Sequence, residues 1–295
     1  MPWPHDCIRP HELLANHTSF RIGGPAEWFA EPSTLEELVA VLREAHRVGM
    51  PVSVVGGGTN TLASDRGIRG LVMHLGRGFR TIRDVSHQDD PLAHVSCGAA
   101  LLTQRLVYLA TKHGWGELES LAGLPGQIGG AVAMNAQNIG RFVDRITVVS
   151  LTGGLQERSR EHLRFAYRDA ALEPGIIVDV VLRFPKASPE VSAQRIQQAL
   201  CDRKTTQELS LPSAGCAFKN PPGTSAGRLI DQAGLKGTRI GDAFISRRHA
   251  NFIVNLGHAT CGEVLALMEY VQHCVERRFG VWLEPEIRIL GERFG

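Results

Sequence analysis

Val52-Ser53-Val54-Val55-Gly56-Gly57-Gly58-Thr59-Asn60 decides the class of fold, because a short β-branched run empties directly into three glycines and two polar residues. The run predicts a short buried strand. Upstream, Ser33-x-x-Glu36 after Pro32 makes a capping box, and Leu35, Leu38, Val39, Leu42 and Ala45 recur at helical spacing. That pattern predicts an amphipathic helix, ended by Gly49-Met50-Pro51. Helix, strand and glycine turn make an α/β opening. The glycines with Thr59 and Asn60 offer successive N–H groups and two polar side chains to a diphosphate, or form a plain turn. The stretch is neither GxGxxG nor a P-loop with its Lys-Ser/Thr.

Further along, Leu121-Ala122-Gly123-Leu124-Pro125-Gly126-Gln127-Ile128-Gly129-Gly130-Ala131 has small or permissive residues at nearly every second position. Main chain built this way approaches a ligand closely, or lets a helix pack tightly on a sheet. Two such loops in one α/β region would grip both ends of a diphosphate-linked cofactor. Around them, Ala93 to Ser96, Thr147 to Leu151 and Ile176 to Phe184 read as strands, and Ala100 to His113 as a helix. Pro185 to Pro189 breaks the pattern, and a polar helix from Val191 to about Lys204 leads into a separate C-terminal unit. There Thr260-x-x-Glu263 caps a helix with Val264, Leu267, Met268, Val271 and Val275 on one stripe, stopped by Gly280.

Four further segments carry reactive side chains. Pro212 to Pro222, holding Cys216 and Lys219, is glycine- and proline-flanked and reads as a site loop. Its thiol is either partly activated by the neighbouring positive charge or inert and buried. Leu283 to Ile289 alternates, with Glu284, Glu286 and Arg288 facing either solvent or a cleft. Tyr167-Arg168-Asp169 and Ser246 to Phe252 read as a surface turn and a polar edge.

Composition bounds the rest. The 295 residues suggest two or three domains at roughly 150 residues each. A net charge of +2, from 32 basic and 30 acidic side chains, argues against nucleic acid as a partner. Arg203-Lys204 and Arg247-Arg248 are too short to track phosphates and are expected on solvated faces. The six cysteines are scattered singly with no CxxC, so neither a disulfide scaffold nor a metal site is expected. Met1 to Asp6 has no basic leader or apolar core, and no apolar run is long enough for a membrane span. A reducing cytoplasm, with no membrane partner, is the expected setting.

Taken in order, several of these segments resemble the UDP-N-acetylenolpyruvoylglucosamine reductase family. The resemblance rests on Asn16 to Ala26, Gly56 to Asn60, Gly123 to Ala131, Tyr167-Arg168, Gly215 to Pro221, Ala226 to Ile230 and Leu283 to Glu286. It implies an α+β protein with a two-subdomain FAD-binding region of the vanillyl-alcohol oxidase type, residues 1–75 and 76–190. An α+β substrate-binding domain, 191–295, follows. It implies that Gly56, Gly57, Gly58, Thr59, Asn60, Gly123, Pro125, Gly126, Gly129, Gly130 and Ala131 hold FAD, together with the stretch from Asn16 to Gly24. NADPH is the implied electron donor and UDP-N-acetylglucosamine enolpyruvate the implied substrate.

Reducing that double bond drives negative charge into the adjacent carboxylate and requires one proton. By resemblance Arg168 is the cation, Glu286 polarises the substrate carboxylate and Cys216 gives the proton. Lys219, Asn220 and Arg228 match substrate-contacting positions. The family most often has Ser where Cys216 stands, and Ser and Phe where Ala170 and Leu172 stand. The stretch from Gly237 to His249 has no room for the tyrosine-bearing loop of longer members, so the chain resembles the shorter type. Two rival expectations stay open: another FAD-dependent oxidoreductase of the same flavin fold, and a non-catalytic UDP-sugar or flavin-binding module.

Overall fold

The computed structural model describes residues 6–206 and 210–291, so the leader reading of Met1 to His5 lies outside the described residues. Strands β1 (Ile8–Leu13) and β2 (Pro25–Ala30) precede helix α1 (Leu35–Arg47). Then come β3 (Val52–Val54), β4 (Thr61–Ala63), β5 (Ile68–Met73), β6 (Ile82–Asp84) and β7 (Leu92–Gly98). Helices α2 (Thr103–His113) and α3 (Ile128–Ala133) lead to β8 (Val143–Ser150), β9 (Leu155–Ser159), β10 (Gly175–Pro185) and helix α4 (Pro189–Thr206). The chain continues through β11 (Ser213–Cys216), α5 (Ala226–Gln232), β12 (Arg239–Ile240), β13 (Ala243–Ile245) and β14 (Phe252–Asn255). Helix α6 (Cys261–Phe279) and strand β15 (Arg288–Leu290) come last. The backbone divides into two compact units. The first takes the residues through Arg9, Phe29–Gly57 and Leu71–Arg203, and the second takes Pro10–Trp28, Gly58–Gly70 and the chain from Lys204 on.

In the first unit an antiparallel sheet runs β6-β7-β10-β8-β9. Its centre is β10, a nearly continuous apolar run that pairs with β7 from Asp179↔Gly98 to Pro185↔Leu92 and with β8 on its other side. Only a strand buried between neighbours tolerates so few polar residues. Helix α1 does carry a capping box, but Thr34 and Glu37 make it, one residue beyond the expected Ser33 and Glu36. Both pairs have the right chemistry, and the Ser33 N–H is drawn to the same Glu37 carboxylate. Strand β3 pairs in parallel with Leu71–Met73 of β5. It is less buried than expected, with Val54 43% exposed, and only the following Val55 is fully inside. Helix α2 starts at Thr103 rather than Ala100, and Ala99 and Ala100 instead donate their N–H groups to the Val178 and Phe79 carbonyls.

The second unit has the sheet β11-β14-β13-β12 beside α5 and α6. The predicted Thr260 and Glu263 capping box starts α6, Gly280 closes it in the left-handed region, and all five stripe residues are buried. Each such side chain contributes on the order of 2 kcal/mol relative to exposure. Phe20, Ile22 and Leu62 join this core, and β4 pairs in parallel with β15 from Thr61↔Arg288 to Ala63↔Leu290. These contacts draw 10–28 and 58–70 into the same unit as the C-terminal chain. Pro212 to Cys216, expected to be irregular, contains a strand after all. Gly215 at φ 75° absorbs a bulge, and Ser213 and Cys216 pair with Val254 and Phe252 on either side of it.

Candidate active site

In the first unit the two glycine-rich stretches touch. A Cβ on Gly57 would lie 2.9 Å from the Gly126 Cα, and one on Gly56 would lie 3.4 Å from Gln127 Oε1. The 126–129 segment is fixed from behind by main-chain hydrogen bonds from Thr103 N–H to Gly126 O (3.0 Å) and from Gly129 N–H to Ala99 O (2.8 Å). Gly129 is needed for packing, since its Cβ would fall 2.8 Å from Ala99 Cβ. Gly130 is different. No atom lies within 4 Å of its missing Cβ, and its backbone avoids the left-handed region, so neither packing nor conformation asks for glycine there. A bare backbone facing open space is what close approach of a ligand requires. Arg203 is not solvated as expected. Its stem lies against Gly123, 3.0 Å from where a Cβ would sit, and burial pulls its guanidinium below the usual range.

Arg168 also belongs to this unit, on a turn closed by Ala166 N–H to Asp169 O (2.8 Å) and by Asp169 N–H to Ala166 O (3.3 Å). Its backbone is left-handed at φ 61°, and the guanidinium lies 5.4 Å from the centre of the Tyr167 ring. Ala170 is buried.

In the second unit Gly58 packs on the chain at His17 and Thr18, whose backbone a Cβ would strike, and Ser19 N–H donates to its carbonyl at 3.1 Å. Asn60 turns toward the C-terminal chain. Its Nδ2 donates to Glu286 O at 3.1 Å, and its carbonyl accepts from Arg288 N–H at 2.9 Å. Residues 217–219 run beside 284–286, with Glu286 N–H on Ala217 O and Lys219 N–H on Glu284 O, each 2.8 Å. Phe218 bridges Pro285 between them. This pairing brings the residue after Cys216 into main-chain contact with Glu286. Asn251 braces the same place by accepting from Phe218 N–H at 3.0 Å and donating to Phe218 O at 2.8 Å.

Cys216 opens on a cavity of ≈ 550 Å³ whose lining includes Asn220, Arg228, Lys236, Arg248 and His249. Three cations against Asp231 make this lining net positive, which suits an anionic ligand. Burial holds the His249 imidazole below its ordinary range, and its Nδ1 is buried without a hydrogen-bond partner among the described residues. Asn220 Oδ1 accepts from Ala226 N–H at 3.0 Å and so shapes the turn into α5. Lys219 instead pairs with Glu284 at 3.3 Å on a partly exposed surface. His249, Lys236 and Asn251 line the cavity although Ser246 to Phe252 reads in sequence as a polar edge. The sequence signal for Asn251 is an amide directly ahead of the apolar run Phe252-Ile253-Val254. Among the described residues no cluster of His, Cys, Asp or Glu is placed to hold a metal ion.

Comparison with known proteins adds the following. A model of an FAD binding domain matches residues 26–157, and one of the UDP-N-acetylenolpyruvoylglucosamine reductase C-terminal domain matches residues 207–290. The reductase of Syntrophotalea carbinolica is 42% identical over 98% of this chain and 96% of its own. That of Geobacter metallireducens is 40% identical over 95% of this chain and 93% of its own. The crystal structure of the reductase from Thermus caldophilus, 37% identical, superposes with a TM-score of 0.80 over 96% of this chain and 99% of that one.

Proposed function

The chain belongs to the UDP-N-acetylenolpyruvoylglucosamine reductase family, and on that premise we propose that Arg168, Cys216 and Glu286 carry its reaction. It is an FAD-dependent oxidoreductase that reduces UDP-N-acetylglucosamine enolpyruvate to UDP-N-acetylmuramate, a peptidoglycan precursor. The residues present fit FAD, because Gly57 and Gly126 already meet backbone to backbone and Gly130 keeps bare main chain beside open space. Gly56, Gly57, Gly123, Pro125, Gly126, Gly129, Gly130 and Ala131, with Gly58, Thr59 and Asn60, are the residues we assign to holding it. Bound there, FAD would supply the hydride chemistry that links NADPH to the terminal carbon of the enolpyruvyl double bond.

The protein's own residues then have three tasks. Arg168 neutralises the charge that grows on the substrate carboxylate. Glu286 polarises that carboxylate, and it can do so as a hydrogen-bond donor only in its protonated form. Cys216 holds at Sγ the proton that the carbon beside the carboxylate must receive, and it regains one from solvent afterwards. A thiol, more acidic than an alcohol, can do this where relatives use Ser. Asn220 and Arg228, which line the cavity with Cys216, and Lys219 beside it are assigned to the substrate. The observation that carries the reading is the main-chain pairing of 217–219 with 284–286, which sets Cys216 and Glu286 on adjacent segments. We further assign 1–75 and 76–190 to the cofactor and 191–295 to the substrate, a division by task that differs from the two compact units. Among the described residues no helix is long and apolar enough to cross a membrane, and we propose the cytoplasm as the place of action.

The test is a titration of the yellow protein without oxygen. NADPH should bleach it, and the enolpyruvyl sugar should restore the colour. Colour that stays bleached with FAD still bound would overturn the assigned substrate.

A further inference from the structure

Left-handed backbone clusters in two places of the first unit. Asn135 (φ 42°), Gln137 (φ 51°) and Asn138 (φ 58°) adopt it just after α3, and Arg168 (φ 61°) and Ala171 (φ 43°) adopt it around the Arg168 turn. Such conformations persist in residues with a Cβ only where surrounding contacts over-determine them. One side chain joins the two places. Asn135 is 8% exposed, its Nδ2 donates to Ala166 O at 2.8 Å, and its Oδ1 accepts from Gly140 N–H at 2.9 Å. The Ala166 carbonyl it holds also receives the Asp169 N–H, so the amide grips the closure of the very turn that presents Arg168.

The residue type is demanding. Asn tolerates the left-handed region, and its amide offers a donor and an acceptor on one short side chain. Asp keeps the acceptor but sets a second oxygen against the Ala166 carbonyl. Gly keeps the backbone and removes both bonds.

We propose that Asn135 is a positioning residue for Arg168, its amide fixing the Ala166–Asp169 turn so that the guanidinium meets the substrate carboxylate. The proposal rests on the assignment of Arg168 made above. It predicts a defect confined to the substrate half of the cycle, because only there does charge develop on that carboxylate.

Asn135→Asp, Asn135→Gly and Arg168→Ala are compared with the parent for FAD content, melting temperature, bleaching by NADPH and colour return on adding the enolpyruvyl sugar. Both Asn135 variants should keep FAD and bleach at the parental rate, while colour return at saturating sugar slows by about a hundredfold, the scale of a misplaced group. Asn135→Gly separates the lost tie from backbone strain, since it removes the first and relieves the second. Parental colour return in the Asn135 variants, with Arg168→Ala slow, would overturn the positioning role alone. Loss of FAD, melting temperature and both half-reactions together in the two variants would mean the amide serves only the fold, and would also overturn it. Parental colour return in Arg168→Ala would remove the premise on which both assignments stand.

Discussion

The turn that carries Arg168 and the paired segments that carry Cys216 and Glu286 are held in opposite ways. In the second unit the holding is main chain to main chain, through Glu286 N–H to Ala217 O and Lys219 N–H to Glu284 O. Those bonds form whatever the side chains are, so an exchange at Cys216 requires no rearrangement of the backbone. In the first unit two main-chain bonds close a left-handed turn, and one side-chain amide, Asn135, secures it. Chemistry presented by paired segments tolerates substitution. Chemistry presented by a strained turn depends on a particular neighbour.

The contrast breaks first at Asn251, a side chain on which the paired segments lean. Asn251→Ala leaves the buried Phe218 N–H and carbonyl without those partners, and should cost about 3 kcal/mol in denaturant unfolding. A negligible cost would mean that the main-chain pairing alone supports Cys216. A smaller effect sharpens the other side of the comparison, on the sheet of the first unit. Burial lifts the Asp179 carboxyl above its ordinary range, although Ser96 Oγ donates to it at 3.0 Å. With its folded pKa raised, Asp179 contributes stability at acid pH that is lost as pH rises through that raised value. Asp179→Asn should therefore melt slightly higher than the parent at neutral pH, the gap closing below the usual Asp range. A gap that widens in acid would reverse the assigned cause.

Local chemistry was legible in the sequence wherever neighbours in the chain decide the outcome. Thr260 and Glu263 cap α6 as read, and its apolar stripe is the buried face, because both signals act within one or two turns. The cap of α1 slipped by one residue because Ser33-Thr34 and Glu36-Glu37 each supply an adequate pair. The strand at Ser213–Cys216 was hidden by Gly215, since a bulge and an irregular loop ask for the same residue. Long-range pairing left no local trace, so nothing near Thr61 announced its parallel partner Arg288. The catalytic candidates were legible only through the ordered set of motifs. Asn135 and His249 were missed because their importance lies in what they face, and spacing carries no record of that.

The central claim is that Cys216 supplies the proton, and anaerobic colour return in Cys216→Ala and Cys216→Ser tests it most directly. General-acid catalysis contributes roughly 10²–10⁴-fold. Cys216→Ala should therefore bleach normally with NADPH but recover colour slower by about that factor, while Cys216→Ser recovers at a rate near the parent's. Recovery at the parental rate in Cys216→Ala would contradict the account.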